Sequence, residues 1–194
     1  MAAKKPARKP AKRPVSKKAA PKKSAAKRSA PKKAAPKKVK PVPPGYHSVT
    51  AYLCVDGAGA AIEFYKKAFG AKERLRMDAP GGKIGHAEIV IGDSAVMLAD
   101  VFPEMNFQAP QAGASVPVNM HLYVANVDDV FTRAIREGAK VLRAIEDKFY
   151  GDRIGTLEDP FGHIWHLATH MEDLSPAEMK RRGEAQGKKG SGGS

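Results

Sequence analysis

The sequence is short of cysteine, short of acid at one end and without a long apolar run, and each shortage removes a class of answer. Cys54 is the one cysteine in 194 residues. That excludes an intrachain disulfide framework and a cysteine-built zinc cluster, and it is the usage expected of a reducing compartment. Cys54 itself reads as a small wall residue rather than a nucleophile. No stretch supplies the ~20 apolar residues that a membrane helix needs. The basic start has no apolar run behind it, as a secretory signal would. Organelle transit peptides are amphipathic and Arg-rich, whereas this start is Lys-rich and broken by proline. The expectation is a cytoplasmic protein with no membrane partner.

Residues 1–44 hold 17 of the 34 basic residues, no acid and no aromatic side chain; the remainder has 17 basic against 20 acidic residues, a net charge of −3. The formal charge of +14 is therefore a property of the tail. Its loose repeat, K-K-P-A-R-K-P-A-K-R-P and then K-K-A-A-P-K-K, has prolines every few residues and nothing large enough to bury, so it is expected to be disordered. Like charges at this density extend a chain and release counterions on meeting a polyanion. Nonspecific nucleic-acid binding through residues 1–44, with association to a nucleoid, is the functional expectation. The tail resembles the Lys/Ala/Pro tails of linker histones in composition. It lacks the aromatics of a dedicated single-strand binder, and a solvated, solubilising extension is the other reading.

From Gly45 to about Met171 the composition changes to alternating apolar patterns with Gly-centred turns, and here the sequence repeats itself. T-A-Y-L-C-V from Thr50 lines up with N-M-H-L-Y-V from Asn119, an offset of 69. F-G-A-K ending at Lys72 answers E-G-A-K ending at Lys140, and V-M-L ending at Leu98 answers W-H-L ending at Leu167, at offsets of 68 and 69. A chance match would not persist so far. Each half opens with an alternating strand, Leu53 and Val55 or Leu122 and Val124. A helix follows, over Ala58 to Phe69 and over Val127 to Glu137. Three strands complete each unit: near Lys72 to Asp78, Lys83 to Ile91 and Ala95 to Ala99, and then Lys140 to Ala144, Arg153 to Leu157 and His163 to Thr169. The unit is βαβββ, twice, which is an α+β fold.

The motifs A-A-I-E-F-Y-K-K-A-F-G-A, G-D-S-A-V-M-L, F-Y-G-D-R and D-P-F-G-H-I-W-H-L-A-T-H-M-E-D, set in paired βαβββ modules, resemble the vicinal oxygen chelate superfamily of glyoxalases, bleomycin-resistance proteins and extradiol dioxygenases. The likeness is to its PhnB-like branch. It implies that two modules, about 48–100 and 118–171 within a domain of 45–175, curl a mixed sheet into an open cup. It also implies homodimers made by pairing modules between chains. Members include metal-dependent lyases and dioxygenases and metal-free drug-sequestering proteins, so the fold serves catalysts and binders alike.

The resemblance places a divalent metal near the start of each leading strand and in each closing strand. In this chain those positions are Thr50 and Asn119, and Met97 and His166. His166 alone is a convincing ligand, whereas a catalytic site takes about three His or carboxylate ligands plus an open position. A further ligand would have to come from His121 or from Asp100, Glu104, His86 or Glu88, which the sequence does not place. Strand parity puts Thr50, Tyr52 and Cys54 on one face, and Asn119, His121 and Tyr123 on another. Without metal, His166 or His121 could act as a general base and Tyr52 or Tyr123 as a proton-donating or orienting hydroxyl; as wall residues they would simply bind a ligand. His163 and Trp165 read as turn and core. Arg153 either clamps an anionic ligand group or pairs with Asp152, Glu158 or Asp159.

The connector from Asp100 to Pro117 is long and carries Phe102, Met105 and Phe107, as a lid or as a strap between modules. After Met171, S-P-A-E-M-K-R-R reads as a short helix capped by Ser175, and the rest of 176–194 as flexible. Two functional expectations follow. One is a small-molecule-binding cup, with or without lyase or oxygenase chemistry, carried on a nucleic-acid-binding tail. The other is a non-catalytic, nucleic-acid-associated scaffold or sequestering protein.

Overall fold

The computed structural model describes residues 40–111 and 114–190. The expectations for residues 1–39 and for the last four residues lie outside them.

Two βαβββ modules follow one another. The first has β1 (Ala51–Val55), α1 (Ala58–Phe69), β2 (Lys72–Asp78), β3 (Ile84–Ile91) and β4 (Ser94–Asp100). The second has β5 (Met120–Tyr123), α2 (Val127–Arg136), β6 (Lys140–Asp147), β7 (Asp152–Glu158) and β8 (Ile164–His170), followed by α3 (Pro176–Gly190). Each module makes its own four-stranded mixed sheet, in the order β1-β4-β3-β2 and β5-β8-β7-β6. The leading strand runs parallel to the closing one and is an edge strand in both.

The helices form where the sequence period places them, and tertiary contacts hold their ends. α1 buries Ala58, Ala61, Ile62, Tyr65, Ala68 and Phe69 at helical spacing, and Gly70, at φ 71°, closes it in the left-handed region that an L side chain resists. No side chain of its own caps the start of α1. The carboxylate of Asp100 at the end of β4 does so instead, accepting from Gly57 N at 2.9 Å, Ala58 N at 2.8 Å and Ile84 N at 2.6 Å. Asn126 caps α2 locally, and Thr169, the repeat counterpart of Asp100, accepts from Val127 N at 2.8 Å.

The helices cover the inner faces of both sheets and join the modules. Tyr65 and Phe69 of α1 pack on Trp165 of β8, with Phe69 and Trp165 ring centres 4.7 Å apart. Beneath them Asp159, 4% exposed, accepts from the Tyr65 hydroxyl, the Trp165 indole and the backbone of Phe161 and His163. Trp165 is thus core, as expected. α3 runs further than the sequence indicates, because Glu178 pairs with both Arg181 and Arg182 and Gly183 seats against Phe149. No helix among the described residues is long and apolar enough to cross a membrane.

Candidate functional site

Strand register makes the outer faces of the two sheets comparable position by position. In the first module Tyr52 lies opposite Met97, Met97 opposite Glu88, and Glu88 opposite Leu75. In the second, His121 lies opposite His166, His166 opposite Thr156, and Thr156 opposite Arg143. One backbone plan therefore carries two chemistries.

On the first face a chain of polar groups runs inward from Tyr52. The Glu88 side chain, 9% exposed, receives the Arg74 guanidinium at 2.6 Å on one oxygen and His86 Nε2 at 3.3 Å on the other. A β-bulge in β2 between Glu73 and Leu75 aims Arg74 at this carboxylate. Burial raises the pKa of Glu88, but hydrogen bonds from Tyr46 first, and then from Arg74 and His86, outweigh it and hold the carboxyl below its usual range. An ionised carboxylate only accepts, so His86 carries a proton on Nε2, and in the neutral imidazole its Nδ1 accepts the Tyr52 hydroxyl at 3.0 Å. Tyr52 packs edge-on against His86 and tilts against Phe107 of the connector.

A cavity of about 450 Å³ lies along the free edge of β1. Tyr52, Leu53 and Cys54 line it together with the connector, from Asn106 through Phe107 and Pro110 to Val118, and with Met120 and His163. No Asp, Glu, Lys or Arg is among its described lining residues. Burial, with Asp100 and Asp56 nearby, pushes the Cys54 thiol up to about 11, so it is protonated at neutral pH. His163, expected in a turn, is buried there, and its Nε2 donates to the Cys54 carbonyl at 3.0 Å. The connector is therefore a cavity wall, closed on itself by the Phe102–Phe107 bridge and tied to the first module by Lys83 donating to the Val101 carbonyl and by Phe107 against Tyr52.

The second face is polar and holds a smaller cavity of about 260 Å³, lined by His121, His166, Thr156, Arg143, Glu146, Lys148 and Tyr150 among others. His166 is fixed from both sides. The Asn119 amide donates to Nε2 at 3.3 Å, which leaves Nδ1–H to donate to the Thr156 hydroxyl at 2.9 Å. Burial first, and then the neighbouring His121 and Arg143, hold the pKa of His166 below its ordinary value, so it is a neutral imidazole at pH 7. The His121 and His166 rings lie 6.1 Å apart, and His121 stacks towards Tyr123 at 4.7 Å. Tyr123 donates to Asp152 at 2.8 Å, and His170 bridges Asp152 and Asp173.

The sequence-expected residues thus divide. Tyr52 and Cys54 line the cavity at β1, with Met97 beside Tyr52; His121, His166, Asn119 and Tyr123 lie on the second module's face. Thr50 precedes β1 and borders neither cavity. Arg153 is an ion-pair residue, with different partners from those expected: Asp128, bidentate at 2.8 and 2.9 Å, and Asp147. The sequence left unassigned Arg143, Thr156 and His170, and it offered Asp152 only as a partner for Arg153, whereas Asp152 pairs with Tyr123 and His170. Asp152 and His170 lie inside sequence motifs, but the motifs do not place them; strand register brings all four to the second face.

The family model of the Glyoxalase/Bleomycin resistance protein/Dioxygenase superfamily matches residues 45–167. The chain belongs to this superfamily. The uncharacterized protein Mb0911c of Mycobacterium bovis is 40% identical to the chain over 143 residues, 72% of this chain and 94% of that one. Among solved structures, TioX from Micromonospora sp. ML1 superposes with a TM-score of 0.51 at 27% identity, over 63% of this chain and 97% of that one. The PhnB protein from Bacillus cereus does so at 0.52 and 17% identity, over 63% and 99%, which is a likeness of fold.

The metal site expected of metal-dependent superfamily members does not fit the residues present. Among the described residues no three His, Cys, Asp or Glu side chains are placed to hold a metal ion. Both ring nitrogens of His166 are already partnered. Asp100 caps α1, while His86 and Glu88 belong to the other module's face.

Proposed function

We propose that the folded part of the chain takes up a small, uncharged, largely aromatic or apolar molecule between the edge of β1 and the connector. The observation that carries this reading is the lining of that cavity, apolar for the most part and, among the described residues, without a charged Asp, Glu, Lys or Arg. A charged ligand would lose its hydration there with no ion to replace it. The superfamily's general role in binding small molecules supports the reading. Tyr52 and Cys54 contact the molecule, and Met97 backs Tyr52. The test is calorimetric titration of the full chain with 4-nitroanisole and with benzoate. Binding of the neutral compound and not of the anion is expected, and equal binding of both, or of neither, overturns the reading.

The second face supports acid–base work rather than simple capture, because His166 is a neutral imidazole held in one orientation beside His121, with Nε2 free to act as a base once a ligand displaces the long hydrogen bond from Asn119. Lyase or oxygenase chemistry on a bound ligand would use it, with Asn119 and Tyr123 as polar contacts. Loss of turnover in His166→Ala, with the fold retained, tests that role. Full turnover in the variant removes His166 from it.

Residues 1–44 supply the second activity proposed, nonspecific nucleic-acid binding, supported by 17 basic residues without an acid. Removing them should abolish DNA and RNA binding and its salt dependence while 4-nitroanisole binding persists. Failure of the intact chain to bind either polyanion at low salt refutes it. A homodimer is the proposed assembly, to be checked by light scattering.

A further inference from the structure

Tyr52, His86 and Glu88 are more than a packed cluster, because their order sorts them into one group that faces the cavity and two that do not. Tyr52 lines the cavity, whereas His86 and Glu88 lie behind it and line none of it. The hydroxyl proton of Tyr52 is directed to His86 Nδ1 at 3.0 Å, which leaves the oxygen's lone pairs free to accept from a ligand. The next link, His86 Nε2 to Glu88, ends on a carboxylate already neutralised by Arg74, with the Arg74 guanidinium 4.1 Å over the Tyr46 ring. Arg74 and Glu88 together carry no net charge. A proton arriving on His86 would therefore make the whole relay cationic, next to a cavity whose described lining has no charged group to answer it.

We propose that Tyr52, His86 and Glu88 form a proton relay that ionises an aromatic or conjugated O–H acid, a phenol or an enol, bound in the cavity at β1. The ligand's O–H proton passes to the Tyr52 oxygen while the Tyr52 proton passes to His86 Nδ1, and His86 Nε2–H stays bonded to Glu88. The products are a ligand oxyanion and an imidazolium. No carbon bond breaks, no oxidant or reductant is needed, and the return of the proton restores the start. The neutral form enters a cavity whose described lining carries no charge, at little desolvation cost, and the anion that forms is opposed by the imidazolium behind Tyr52. Tyr52 touches the ligand. His86 and Glu88 act through Tyr52 and are positioning residues.

The proposal rests on the cavity reading above, and its test keeps the two apart. The full chain is titrated with 4-nitrophenol, whose phenolate absorbs in the visible, and with 4-nitroanisole, which has no proton to give. Wild-type protein is expected to bind both, and to show bound 4-nitrophenol as phenolate at least about one pH unit below the pH at which the free probe ionises, the proton being kept on His86 so that the probe enters neutral. His86→Gln and Glu88→Gln should each return its ionisation curve to that of the free probe while 4-nitroanisole affinity stays within about twofold, which also reports that the variant is folded. The relay is overturned if the bound phenol titrates like the free one, if the shift survives in both the His86 and Glu88 variants, or if 4-nitroanisole binds and 4-nitrophenol does not. If neither binds, the cavity reading falls with it.

Discussion

The hydroxyl of Tyr65, in the helix of the first module, donates to the carboxylate of Asp159, in the last turn of the second, at 2.7 Å. Both residues are buried, and the same carboxylate accepts three further N–H groups from its own module. The bond makes the two modules mutually dependent. Tyr65→Phe leaves the other three donors in place and should cost about 1–2 kcal/mol, whereas Asp159→Ala strands all four and should cost considerably more. Urea unfolding of the two variants checks the order. Equal losses would mean that Asp159 serves only one donor.

Gly155 of β7 should tolerate no side chain. A Cβ there would meet the Phe131 ring of α2 at 2.5 Å and Ile145 at 2.9 Å. Gly155→Ala is expected to destabilise the fold by about 1–3 kcal/mol through overpacking between sheet and helix. Thermal unfolding measures it, and an unchanged Tm would contradict the contact.

His170 should make stability depend on pH. Hydrogen bonds to Asp152 and then to Asp173 raise its pKa above the ordinary 6.5. Its contribution is therefore fully present below that ordinary value and is lost as pH rises through the folded-state pKa. The difference in stability between wild type and His170→Gln should be largest in mild acid and vanish in mild alkali. A difference constant across that window would remove the ion pairs from the account.

His166 should titrate in the opposite sense. Burial, the neighbouring His121 and Arg143 lower its pKa, so nitrogen-resolved NMR should find it neutral at pH values where an exposed histidine is charged. Arg143→Gln removes one like charge and should move its titration upward without restoring the ordinary value. No movement would show that the guanidinium points elsewhere.

Cys54 should be slow to alkylate. With its thiol pushed up to about 11, reaction with iodoacetamide should be sluggish at neutral pH and accelerate in alkali. Saturating 4-nitroanisole should slow it further if the probe shares the cavity wall with Cys54. Rapid neutral alkylation would contradict the burial that sets its pKa.

The modules were legible because they repeat. Lys72 and Lys140 open equivalent strands, and Gly70 ends α1 as expected, since these features are written in local pattern. The candidate site was legible only as far as parity carries. Tyr52 and His121 were found because alternate residues share a face, but their register partners required the ladder itself. Arg143 and Arg74 stand beside irregularities that shift pairing in β6 and β2, and no spacing rule anticipates a bulge. Asp100 entered as a possible metal ligand and proved to cap α1 from 42 residues away in the chain. Arg153 was assigned an ion pair but to neighbours in sequence, whereas Asp128 comes from the facing helix.

The cavity at β1 takes much of its wall from the connector, from Phe107 and Pro110 to Val116 and Val118. Those residues pair with no strand of either sheet; beyond the bridge to Phe102 they are held by turns and side chains. Substitutions there would alter which molecule fits without disturbing the ladders or the helix packing that determine whether the chain folds. Ligand preference and foldability are thus encoded in different stretches of the sequence, and the first can change across generations while the second is kept.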